Sequence, residues 1–163
     1  MPETVQDMEL ALEARYRDGE RLLASPAEAH NWGGIYLMGY VAEMVLKLSY
    51  FHLKGSRPTD PTSAELSIAR RDATRLGVVH KERDFDRHNL AQLSDLVSLI
   101  RADVGLQALP PDLQTGLRVS VVQVHQIWSV SMRYMGRLAQ STDALDVYRA
   151  VSWLRAHYYR LWS

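Results

Sequence analysis

Between Asn31 and Gly55 the chain reads NWGGIYLMGYVAEMVLKLSYFHLKG, an almost continuously apolar run that carries two interior charges, Glu43 and Lys47, one helical turn apart. At helical spacing Tyr36, Tyr40, Glu43 and Lys47 fall at i, i+4, i+7 and i+11. Two phenols, a carboxylate and an ammonium therefore share one stripe of a hydrophobic helix. Burying either charge alone is costly, so the stripe must meet its own partner, another helix or a ligand. The run fails as a membrane span, because Glu43, Lys47 and His52 interrupt it and no stretch of about 18 uncharged apolar residues occurs.

A chain of 163 residues with 47% hydrophobic content has the size and the apolar material for one core, so residues 1–163 are expected to form a single domain. Nineteen basic residues balance nineteen acidic ones, which argues against tight, sequence-independent binding to duplex DNA. The absence of cysteine excludes disulfides, a thiol nucleophile and any Cys-based zinc site. The opening MPETVQDMEL has neither a basic flank nor an apolar core, so it does not read as a secretory signal, and the expectation is a cytoplasmic protein.

Apolar periodicity predicts an all-α fold of five main helices. The first runs from Val5 to about Ala24, and the second opens at a Ser25-Pro26-Ala27-Glu28 capping pattern and ends near Gly55. Gly33, Gly34 and Gly39 are poor helix formers, which suggests that another backbone crosses close by. Residues 55–88 read as a variable insertion with one short helix, capped by Thr62 and Glu65 and ended by Gly77, followed by an exposed charged connection over residues 78–87. The third main helix begins near His88 or Asn89, and the fourth begins at Pro110-Pro111-Asp112 and continues through Ile127 or Trp128 to Met135. The fifth follows a cap at Ser141 or Thr142 and repeats Val147, Val151, Leu154, Tyr158 and Leu161.

The run GYVAEMVLK, the later His88-Asn89-Leu90 with Leu93, the Tyr16 to Gly19 step in the first helix and Arg133-Tyr134 in the fourth come in an order that resembles the HEPN family of small helical domains, over residues 8–161. The resemblance implies an up-and-down bundle of four to five helices, a homodimer, and either a nucleotide or RNA ligand or a partner nucleotidyltransferase in a toxin-antitoxin pair. RNA-cleaving members of that family use an Arg-x(4–6)-His motif, in which the guanidinium stabilises the charged transition state and the imidazole transfers protons. The spacing occurs at Arg75 to His80 and at Arg83 to His88, both before the third helix, whereas the family places it near Arg133, after which no histidine follows at the required distance.

Three function classes follow. The first is a non-catalytic binding module whose site combines Tyr40, Glu43, Lys47, His88 and Arg133. Lys47 and Arg133 then contact phosphate, Glu43 orients Lys47, and Tyr40 stacks or donates a hydrogen bond. The second is a metal-independent ribonuclease with Arg83 and His88 as catalytic residues. The third is a structural dimer in which Glu43 and Lys47 are simply a buried pair. His88 itself has two structural roles open to it, capping the third helix or bonding to the second. Arg133 and Arg137, one turn apart, are able to bind phosphate together or to complement a helix end. The aromatic group Trp153, His157, Tyr158, Tyr159 and Trp162 suits a dimer surface better than base stacking. No cofactor motif and no i, i+4 His/Glu metal pairing is present, so neither a cofactor nor a metal is expected.

Overall fold

The computed structural model describes residues 2–27, 29–134 and 139–163, with the side chains of residues 29, 133 and 134 outside that description. Among the described residues the protein is an all-α bundle of six helices: α1 (Val5–Leu23), α2 (Ala29–Leu53), α3 (Thr62–Arg75), α4 (Leu90–Asp103), α5 (Pro111–Ile127) and α6 (Ser141–Trp162). Short 3-10 turns lie at Glu82–Asp84 and Val130–Tyr134. Five helices match the main ones expected, and α3 is the short helix of the 55–88 segment.

α2 forms the centre of the bundle. Every residue from Val41 to Phe51 is buried, which explains why its sequence lacks an exposed polar face. α1 runs antiparallel to α2, since Leu22 and Leu23 meet Gly33 and Gly34 while Glu9 bonds to His52 at the other end. α6 runs parallel to α2, with Asn31 beside Ser141 at one end and His52 stacked on Trp162 at 4.4 Å at the other. The Arg101 guanidinium donates to the carbonyls of Gln107, Leu161 and Ser163, which ties the end of α4 to the end of α6. α5 returns from that end, and its C-terminal Trp128 packs against the first half of α2.

α3 is held to the bundle through Asp72, which accepts from Tyr50 at 2.7 Å, from Lys54 at 3.1 Å and from Arg75 at 3.0 Å. Arg75 also forks onto Asp103 of α4. The N-terminal segment closes this corner, with an isolated bridge between Thr4 and Pro61 and a capping box formed by Thr4 and Asp7.

Several local expectations are corrected. α3 is preceded by Pro61 at its cap position and has no side-chain cap: Thr62 instead donates to the Pro2 carbonyl, and Glu65 accepts from Ser56. α6 is capped at Gln140 rather than at Ser141 or Thr142, also without a side-chain bond. In the 78–87 connection, Val79 and Phe85 are buried against the core, so that stretch is pinned at two points. Gly33 and Gly39 accommodate side chains rather than a crossing backbone, while a Cβ on Gly34 would meet both the side chain and, at 3.3 Å, the backbone nitrogen of Leu23 in α1. A Cβ on Gly39 would come within 2.1 Å of the Trp128 indole, and one on Gly34 within 2.4 Å of Leu23. α5 stops at Ile127, because Trp128 turns extended to lay its ring on Gly39 and to donate Nε1–H to the Tyr36 carbonyl. Met135, expected on the same helix, lies outside the described residues.

Candidate functional site

Glu43 is the centre of the polar cluster. Its two oxygens are divided between two helices: Oε1 takes Lys47 Nζ at 2.5 Å and Oε2 takes His88 Nδ1 at 2.8 Å. Glu43 is 4% exposed and Lys47 1%, so the pair sits inside the bundle, while the His88 side chain keeps 29% of its surface. An ionised carboxylate only accepts, so Nδ1 carries the hydrogen and Nε2 remains as the second polar atom of the ring.

The sequence fixes His88 in this pose locally. Asn89 is the N-cap of α4, its Oδ1 accepting from Ala91 N and Gln92 N. Asp86 Oδ1 accepts from His88 N at 2.9 Å, and Gln92 Oε1 accepts from Asp86 N at 2.8 Å. Of the two roles open to His88, the structure therefore shows the bond to α2, and Asn89 does the capping.

One turn before Glu43, Tyr36 donates to the Tyr40 hydroxyl at 3.1 Å, with the rings edge to face at 5.0 Å. Tyr40 also meets the Trp128 ring edge-on at 5.5 Å, which joins the break after α5 to the site. Tyr36, Tyr40, Glu43, Lys47 and His88 line one cleft of about 680 Å³, together with Arg15 of α1 and Arg87 of the segment before α4. His88 also lines a smaller cavity of about 280 Å³ with Asp86, His125 and Trp128. A third cleft, of about 670 Å³, lies near the start of α6 around Glu20, Asn31 and Tyr148. It is larger than the second but has no cationic side chain in its wall, and its Tyr148 hydroxyl is already bonded to Glu20.

Four of the expected ligand-binding residues, Tyr40, Glu43, Lys47 and His88, are thus brought together. Arg133 falls on the 3-10 turn after α5 instead of on a long fourth helix, and its side chain and Arg137 lie outside the described residues. Arg83 sits on the Glu82–Asp84 turn with its side chain 78% exposed and 3.9 Å from Asp84, and it is not among the residues lining the His88 cleft. Arg75, of the other Arg-x4-His pair, is committed to Asp72 and Asp103. His125 is exposed, and His157 donates from Nδ1 to the Trp153 carbonyl while stacking on that ring at 4.2 Å.

Residues that the sequence reading did not select are Arg15, Arg87 and Trp128. Among the described residues, no group of three or more His, Asp or Glu is placed to hold a metal ion, and no helix is long and apolar enough to cross a membrane. Compared with known proteins, the chain matches no family model, no curated protein and no solved structure.

Proposed function

We propose that the protein is a HEPN-like, non-catalytic binding module whose Tyr40–Glu43–Lys47–His88 cleft receives a nucleotide or RNA. The observation that carries this reading is a single buried carboxylate that positions a lysine and a histidine from two helices in the wall of an open cleft. A buried ion pair is no more stabilising than an apolar pair of the same volume. Stability alone therefore gives no reason to put one beside a cleft, whereas a polar ligand does. Glu43 holds the His88 ring, Lys47 supplies positive charge behind it, and the Tyr36 and Tyr40 rings offer a half-buried aromatic wall. The homodimer and the nucleotidyltransferase partner that the resemblance implies belong to the same proposal, as does a role in a toxin-antitoxin pair.

The test is a metal-free assay at micromolar protein that follows RNA binding and RNA integrity together. Saturable binding with intact RNA, weakened in a folded Tyr40→Ala protein, is the expected result. Cleavage that disappears in Arg83→Ala and His88→Ala would replace the binding module with the ribonuclease reading.

A further inference from the structure

We infer that the cleft takes a phosphate monoester, and that Arg15 and Arg87 are the groups that hold it. This rests on reading the cleft as a ligand site. The chain as a whole is electrically balanced, yet the cleft wall is not: Arg15, Lys47 and Arg87 face one carboxylate, Glu43, an excess of two positive charges. Lys47 and His88 each take one oxygen of Glu43, and neither arginine is paired with that carboxylate. Neither guanidinium has an ion pair or side-chain hydrogen bond to another described residue, while Arg57, Arg75 and Arg155 each fork onto a carboxylate.

Both arginines are exposed side chains that line the same cavity from separate elements, and forked donors match phosphate oxygens in pairs. A phosphate monoester carries roughly −1.5 to −2 charge at neutral pH, which balances an excess of two, whereas each phosphodiester unit carries one. The cleft volume of about 680 Å³ suits a ligand of mononucleotide size. Tyr36 and Tyr40 are half-buried on the same wall and give the organic part of such a ligand an apolar face. A free nucleotide and the phosphorylated end of an RNA present the same chemistry.

Calorimetric titration separates these cases. The probes are the four nucleoside 5′-monophosphates, the four nucleosides, cyclic AMP, and a trinucleotide with and without a 5′-phosphate. The expected result is that at least one monophosphate binds about tenfold or more tightly than its nucleoside and than cyclic AMP. Arg15→Ala and Arg87→Ala should each weaken it by about tenfold, the equivalent of one charge-assisted contact. Arg17→Ala, an exposed α1 arginine outside the cleft wall, should leave it unchanged and controls for general charge. Tighter binding of the 5′-phosphorylated trinucleotide than of any mononucleotide would assign the phosphate to an RNA end, and the converse to a free nucleotide; both support the monoester. Equal affinity for nucleoside and monophosphate, lost in Tyr40→Ala, would overturn the monoester while leaving a binding module. No binding of any probe would overturn both.

Discussion

Replacing Glu43 by alanine removes the acceptor used by both Lys47 and His88. His88 has 29% of its side chain in water and can exchange its lost bond for a solvent one. Lys47, at 1% exposure, cannot. Removing one partner of a buried pair costs about 3–5 kcal/mol, because the other charge is left uncompensated. At about 2–4 °C per kcal/mol for a domain of this size, the melting temperature should fall by about 6–20 °C. Replacing both partners, Glu43→Leu with Lys47→Met, removes the stranded charge and keeps the volume, so the double variant should lie within about 1 kcal/mol of wild type. In a cycle completed by the Glu43→Leu and Lys47→Met single variants, the coupling between the two sites is then about 3 kcal/mol or more, measured by urea unfolding with the denaturant slope checked for constancy. A loss below about 1 kcal/mol in Glu43→Ala, or additive effects in the double variant, would show that water reaches the pair and that the buried polar site does not exist.

Three further outcomes follow from the packing. Arg101→Ala strips three backbone carbonyls of their charged donor and should cost about 2–4 kcal/mol, with faster amide hydrogen exchange confined to the last turn of α6. Gly39→Ala places a methyl within 2.1 Å of the Trp128 ring and should destabilise by about 1–3 kcal/mol while shifting tryptophan fluorescence, whereas alanine at Gly55, whose φ is +73 but whose surroundings are open, should cost only backbone strain. Burial by itself would raise the Asp72 carboxyl, but the hydrogen bonds from Tyr50, Arg75 and Lys54 outweigh it and hold the group below the usual aspartate range. Its folded value being the lower one, Asp72 contributes fully above the unfolded value of about 3.9, and the contribution is lost as pH falls through the folded value. The stability difference between wild type and Asp72→Asn should therefore be large near neutrality and shrink steadily in acid, and a difference that stays constant would contradict the network.

The site was legible in the sequence where local spacing alone determined it. Tyr40, Glu43 and Lys47 lie on one helical stripe whatever packs against them, and the HNL step announced where α4 begins and placed His88 at its entry. Other parts depended on partners far along the chain. The pattern Val121, Val124 and Ile127 continues smoothly into Trp128, and nothing local shows that its indole fits the notch at Gly39 and ends α5 there. Arg15 and Arg87 read like any surface arginine, such as Arg17, until the fold brings them to one cavity. Thr62 and Glu65 have the spacing of a capping box, but the preceding Pro61 and the nearby Pro2 and Ser56 draw their side chains elsewhere. Arg101 did carry a readable sign, since it lies four residues after Val97 on the buried stripe of α4, where an exposed cation is not expected.

The central claim is that the ligand site of this protein is the cleft built on Glu43, and amide chemical-shift mapping tests it most directly. Uniformly labelled protein titrated with AMP, UMP and a short single-stranded RNA should show saturable shifts concentrated at residues 36–47 and 86–90 and around Arg15. Shifts centred on the cleft near Asn31 and Tyr148, or none with any of the three, would contradict it.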